Sequence, residues 1–195
     1  GDYSKLTTAD LQLNKIKNVQ YVREQGSITQ MFDIIFLSYN EPNAQERFEK
    51  LQERIDALTT VSKRKPNLIW VKDIDGIFNA HQHASNQVTS NMFWVVDGDA
   101  DVLDSFDFSY MPDVYDEEVV HVWNSMNLIN GLEYGYGGVK LFPRKLTIDM
   151  DTTNADMTTS ISKYFTAMPE VANITAFNTD AFSTWRSAFR ECAKL

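Results

Sequence analysis

Asp97, Asp99 and Asp101 stand at alternate positions in the run Asp97-Gly98-Asp99-Ala100-Asp101. Three carboxylates that converge repel one another unless a cation neutralises them. Hard divalent cations such as Mg²⁺ and Mn²⁺ take oxygen ligands and are commonly shared with substrate phosphates. Gly98, lacking a Cβ, lets the backbone approach a ligand closely. The plain alternative for so short a cluster is a solvated acidic turn. A calcium loop is excluded, because the sixth position counted from Asp97 is Val102 rather than glycine, and no Glu closes the loop at its far end.

The element that must carry this cluster is residues 92–96 (MFWVV), a continuous apolar run that reads as a buried strand. Two similar runs precede it. Residues 31–38 (MFDIIFLS) end in the turn Tyr39-Asn40-Glu41-Pro42, and residues 68–71 (LIWV) form a second short strand. Between them, Phe48, Leu51, Ile55 and Leu58 recur at helical spacing, as do Ala80, Ala84 and Val88 further on. The first hundred residues therefore read strand, helix, strand, helix, strand. Strands apolar on both faces belong to an α/β fold with a mostly parallel, Rossmann-like sheet flanked by helices. Ligands of such sheets bind beyond the carboxyl ends of the strands, which singles out residues 38–42 and 97–101.

The second half is less regular. A strand is expected over 118–123, a Gly/Tyr loop over 131–138, a short strand over 139–143, a helix over 157–165 and a terminal helix from 184 onward. Trp123, Phe182, Trp185 and Phe189 read as core, and the basic run 63–65 as a solvated turn.

The chain has 195 residues, 43% of them hydrophobic, which suffices for one domain with a full core. The formal net charge of -9 argues against non-specific nucleic-acid coating, though not against a local basic strip. A single Cys excludes an internal disulfide framework and a Cys-rich zinc site. No apolar leader and no membrane-length run is present, and with the cysteine usage this gives the expectation of a cytoplasmic protein. The last residues read as a helix still in progress, so the chain reads as a piece of a longer protein. Gly-x-Gly-x-x-Gly, a Walker loop and a nucleophile elbow are all missing, which disfavours dinucleotide oxidoreductases, P-loop ATPases and serine hydrolases.

The stretch Ile34-Ile35-Phe36-Leu37-Ser38-Tyr39-Asn40-Glu41, and the stretches Gly76-Ile77-Phe78-Asn79-Ala80-His81 and Phe93-Trp94-Val95-Val96-Asp97-Gly98-Asp99, resemble the first strand and loop, the Ala-rich helix and the DXD strand of GT-A-fold glycosyltransferases, especially the family-2-like enzymes. The resemblance covers residues 31–101. It implies a single domain over 1–195, with 31–101 as the nucleotide-sugar half and 102–195 as an acceptor half cut short at its end. Ser38, Tyr39, Asn40 and Glu41 would hold base and ribose, His81 would face the diphosphate, and Asp97 and Gly98 would contact the nucleotide. Asp97 and Asp99, with His121 as a third ligand, would hold Mn²⁺ or Mg²⁺. The donor would be a nucleotide sugar, UDP-linked by expectation. The chain as a whole is also similar to proteins of large tailed bacteriophages. That implies host cytoplasm and adds a hydroxymethylated base in phage DNA to the possible acceptors, beside a glycan or protein hydroxyl.

An inverting transferase also needs a general base. Asp149, Asp151 and Asp156 form the pool, with Glu133 beside them; for any one of them a solvated acidic loop is the favoured alternative. Lys72, Lys140 or Arg144 could supplement the charge on the leaving diphosphate. Tyr134 and Tyr136, around Gly135 and before Gly137-Gly138, suit a sugar or base face, or core packing. Arg144, Lys145, Arg186 and Arg190 could line a basic strip for DNA. Two rival functions share these residues: a nucleotidyltransferase, disfavoured because the loop 39–42 has neither glycine nor a basic residue, and a non-catalytic binding or structural module of a larger protein.

Overall fold

The computed structural model describes residues 31–58, 66–128, 131–135, 137–175 and 181–192. The run 63–65 and Tyr136 lie outside them. Eight strands form one sheet: β1 (Asp33–Ser38), β2 (Leu68–Lys72), β3 (Met92–Asp97), β4 (Ala100–Val102), β5 (Val120–Asn127), β6 (Glu133–Tyr134), β7 (Val139–Pro143) and β8 (Phe165–Thr175). Among the described residues five helices accompany it: α1 (Ala44–Leu58), α2 (Ile77–Gln87), α3 (Arg144–Ile148), α4 (Met157–Ile161) and α5 (Ala181–Cys192). The α/β fold with a helix-flanked sheet is as expected; the sheet is mixed rather than mostly parallel, because the strands after β3 add antiparallel pairs.

The strand order is β2-β1-β3-β7-β5-β8-β4, with β6 beside β5. β2, β1 and β3 are parallel, and β5 and β8 are parallel; the remaining pairs are antiparallel. Side chains alternate across β1, so Ile34 and Phe36 join Leu51 and Ile55 of α1 on one face. Ile35 joins Ala84 of α2 and Val88 just beyond it on the other. The two crossovers thus lie on opposite faces of the sheet, and the carboxyl ends of β1 and β3 flank a topological switch point, where such sheets open a crevice.

Only Gly98 and Asp99 separate β3 from β4, yet β4 lies four strand spacings away in the sheet. Four spacings of a flat sheet cover about 19 Å, whereas three peptide steps reach at most about 11 Å. The sheet must therefore curl, bringing its β4 edge back over the end of β3. A dense aromatic group fills the curl, with Trp94 between Phe106, Phe108 and Trp123 at ring-centroid separations of 4.7–5.6 Å.

Asp33 ties the opposite end of β1 to its neighbours. Its buried carboxylate accepts hydrogen bonds from the backbone N–H groups of Thr89 (2.9 Å) and Ser90 (3.3 Å) and from Asn67 Nδ2 (2.9 Å).

Two expectations are corrected. The helix expected over 157–165 ends at Ile161, and the chain then enters β8, an eleven-residue strand missed because most of it is exposed on its amino-terminal side. Phe182, Trp185 and Phe189 are not core: each is more than 60% exposed, and they stack on one another along one side of α5. Trp123 is fully buried, in keeping with a core residue. Among the described residues no helix is long and apolar enough to cross a membrane.

Candidate active site

The site begins with an interlock of two loops. β1 ends at Ser38, whose hydroxyl accepts a hydrogen bond from Trp70 Nε1 (2.8 Å) and whose carbonyl accepts from Asp73 N–H (3.2 Å). Ser38 is thereby buried and committed to holding β1 and β2 together at their ends. The chain then turns through Asn40, at a φ of 127°, and Glu41 folds back so that its Oε2 accepts from the N–H of Tyr39. Gly98 fits beneath this loop. Its N–H donates to the carbonyl of Leu37 (2.7 Å) and its carbonyl accepts from Arg47 Nη1 (3.2 Å). A Cβ on Gly98 would stand 2.7 Å from Ser38 Cβ and 2.8 Å from Glu41 Oε2, so only glycine fits.

Above the interlock lies an open cavity of about 430 Å³, lined in part by Ser38, Tyr39, Glu41, His81, Asp97, Asp99 and Lys140. Residues 38, 39, 41, 81, 97 and 99 thus come to one place, and Asn40 is exposed in the same loop. The N-terminal turn of α2 contributes Ile77, Ala80 and His81.

Lys140 reaches the cavity from β7. Its Nζ donates to both carboxylate oxygens of Asp97, at 2.8 and 2.7 Å. Of the three basic residues considered for the leaving diphosphate, Lys140 alone lines the cavity. Lys72 lies over the ring of Trp70, and Arg144 Nε donates to the carbonyl of Ser85. The sequence signal for Lys140 is a single lysine inside the otherwise apolar strand VKLFP.

Three carboxylates, those of Glu41, Asp97 and Asp99, share this wall with one ammonium. Burial, and next the charges of Asp97 and Glu41, push the carboxyl of Asp99 up to about 6, against a partial pull from Lys140. His81 behaves in the opposite sense. It is 2% exposed, its Nδ1 donates to the carbonyl of Ile77 (2.8 Å), and its Nε2 has no hydrogen-bond partner. Burial, then the charge of Lys140, lower it to about 4. The ring at neutral pH is therefore uncharged and presents a lone pair, so it is not a positive partner for a diphosphate.

The remaining candidates fall elsewhere. His121 pairs in register with Leu141, which pairs with Trp94, three residues before Asp97 on β3. That sets it about 10 Å back along the sheet, buried beside Tyr110 and Trp123. The structure does not bring it to the carboxylates. Asp149 pairs with Lys145, Asp151 accepts from Thr153, and Asp156 caps α4 through the N–H of Thr159. All three are exposed or stand on the surface loop, and none lines the cavity. Asp101 pairs with Lys50 of α1. Glu133 is exposed on β6, and Tyr134 lies near Asn127. Gly138 passes so close to Asn173 that a Cβ would meet its amide at 2.5 Å, while its carbonyl accepts from Asp97 N–H (2.9 Å). Its glycine is thus explained by packing beside Asp97. Lys145 is engaged by Asp149, and the side chains of Arg186 and Arg190 lie outside the described residues.

A divalent cation fits this wall in one form. Among the described residues no three His, Cys, Asp or Glu side chains gather into a ready-made metal cluster. Magnesium-type sites, however, use one or two carboxylates and complete the shell with water and substrate phosphates. Asp99, crowded by like charge, is the carboxylate that a cation would relieve most.

No family model matches the sequence, and no curated protein matches it. Solved structures do show a likeness. HddC from Yersinia pseudotuberculosis is 12% identical, with a TM-score of 0.48, over 82% of this chain and 99% of that one; a second HddC structure, complexed with GMP-PN, compares similarly. A glycosyltransferase involved in the glycosylation of the major capsid of PBCV-1 is 13% identical, with a TM-score of 0.46, over the same shares. The 4-diphosphocytidyl-2C-methyl-D-erythritol synthase of Anaerococcus prevotii is 10% identical, with a TM-score of 0.48, over 83% of this chain and all of that one. At these identities the likeness concerns the path of the chain and assigns no residue a role.

Proposed function

We propose that this chain is a glycosyltransferase that takes a sugar from a nucleotide-sugar donor, UDP-linked in the first instance, and passes it to a hydroxyl. The observation that carries this reading is the interlock of Ser38–Glu41 with Asp97–Asp99 at the switch-point crevice, which leaves an acidic cavity with one lysine in its wall. Residues 31–101 supply the nucleotide-sugar half, and 102–195 the acceptor side together with Lys140.

Glycosyl transfer breaks the bond between the anomeric carbon and a phosphate oxygen, and negative charge accumulates on the departing diphosphate. Lys140 is placed to meet that charge. Mn²⁺ or Mg²⁺, held by Asp99 with Asp97 nearby, would supply further charge stabilisation when bound. The loop 38–41 fixes the nucleotide side of the cavity, and Tyr39 is held at the rim by its hydroxyl bond to Asp75 (3.0 Å). Glycan, protein and hydroxymethylated DNA hydroxyls are the acceptors to test.

A second reading, a nucleotide-binding module without turnover, is favoured by one fact: none of the three base candidates lines the cavity. Calorimetric titration with UDP, GDP and CDP, with and without Mn²⁺, tests the site itself. One nucleotide should bind with metal dependence that Asp99→Ala removes. Silence from every nucleotide would end the transferase reading. Binding without hydrolysed or transferred sugar by mass spectrometry would favour the module.

A further inference from the structure

The Asp97–Lys140 contact changes the division of labour in this site. Resting on the nucleotide-sugar reading above, we propose that Asp97 is a positioning residue for Lys140. Lys140 binds the donor's diphosphate from the β7 side, and the divalent ion is left to Asp99.

Both oxygens of Asp97 are engaged by one ammonium, at 2.8 and 2.7 Å. The Lys140 side chain is only 13% exposed. A metal on Asp97 would have to displace a nearly buried ammonium and leave it unpaired, which is costly. The pair is fixed at both ends. Asp97 N–H donates to Gly138 O at 2.9 Å, and Lys140 stands opposite Val95 in the β3–β7 register. Gly137, at a φ of 77°, leaves room for the lysine stem where a Cβ would lie 2.9 Å from Lys140 Cε. A head group held in this way is already oriented for an anion, so little freedom is lost on binding.

Lys140 is the one cationic side chain among the described residues lining the cavity. His81, in the same wall, has a different part. Its unpartnered, almost fully buried Nε2 offers a lone pair, which suits a donor on the ligand and not a phosphate oxygen.

UDP affinity, measured by calorimetry in Mn²⁺ and again in EDTA, separates the roles. Asp97→Asn and Lys140→Met should each weaken UDP roughly tenfold to a hundredfold, the range of a charge-assisted contact. The double variant should be no weaker than either single, because the two residues act as one unit. Asp97→Asn should keep the wild-type ratio of affinities with and without Mn²⁺, whereas Asp99→Asn should bring that ratio near one. Lys140→Arg should retain most of the affinity, and Lys140→Gln replaces the Met variant if thermal melts show that it does not fold. Additive losses in the double variant, or collapse of the Mn²⁺ ratio in Asp97→Asn, would overturn the assignment while leaving the nucleotide-sugar reading intact. If wild-type protein binds none of UDP, GDP or CDP in either buffer, the nucleotide-sugar reading fails, and this proposal with it.

Discussion

Gly98 lies directly against Ser38: a Cβ on the glycine would stand 2.7 Å from the serine's Cβ and 3.0 Å from its Cα. The obstacle includes backbone, so it cannot swing aside as a flexible side-chain end would. The contact joins the end of β1 to the turn after β3 and so sets the floor of the cavity. Gly98→Ala should lower stability by about 1–3 kcal/mol, the usual cost of overpacking, and weaken UDP by pushing the 38–41 loop outward. Urea melts and nucleotide titration measure the two effects. Unchanged values in both would show that the loop yields freely.

Asp99, which is half-buried, and His81, which is buried, give the cavity opposite pH signatures. Asp99 has its carboxyl raised from 3.8 to about 6, so the folded chain holds a proton that the unfolded chain has lost. Its contribution therefore reduces stability as pH rises from about 4 to about 6. His81 is lowered from 6.5 to about 4, so the folded chain refuses a proton that the unfolded chain takes. Its contribution increases stability as pH rises from about 4 to about 6.5. Each amounts to at most about 3 kcal/mol, and across the shared window they offset one another. In metal-free buffer, Asp99→Asn should unmask a rise in stability with pH, and His81→Asn a fall. Identical pH profiles for both variants would contradict this arrangement.

Asp33 predicts a third pH effect, away from the cavity. Burial alone would raise its carboxyl, but N–H donors from Thr89, Asn67 and Ser90, with the Asn67 side-chain amide, outweigh burial and hold it below the usual 3.8. Its stabilisation is present above the ordinary carboxylate value and is lost as pH falls through the depressed one. Asp33→Ala should cost about 3 kcal/mol, as expected when several buried donors lose a charged acceptor. Thermal melts should show Asp33→Asn retaining part of that, since its amide oxygen can still accept. A melt unchanged in Asp33→Ala would mean that β1 is held without this tie.

Trp70→Phe isolates the anchoring of Ser38. The ring contacts with Phe36 and Phe48 are largely kept, while the 2.8 Å bond to Ser38 Oγ is lost. A stability loss of about 1 kcal/mol is expected, with a larger proportional loss of UDP affinity because the 38–41 loop is loosened. Equal UDP affinity in variant and wild type would show that the loop is held without this bond.

Much of the nucleotide half is legible in the residues alone. IIFLS, LIWV and MFWVV are apolar on both faces, which only a covered sheet explains, and the helical repeats between them dictate crossovers. A strand of that kind ending in Asp-Gly-Asp places the carboxylates at a ligand-binding edge. What sequence could not decide depended on pairing between distant segments. Whether His121 meets Asp97 is a matter of strand register, and register put it level with Trp94. Whether Asp149, Asp151 and Asp156 face the cavity depended on where β7 runs: antiparallel to β3, it carries the chain to the far end of the sheet before α3 begins. The aromatic spacing of α5 matches a core stripe, yet spacing defines a face without saying what covers it. Local periodicity reports which elements form and which side they bury. The curl of the sheet, the grip of Lys140 on Asp97 and the uncharged state of His81 arise from contacts between residues far apart in the chain, and these only the tertiary structure decided.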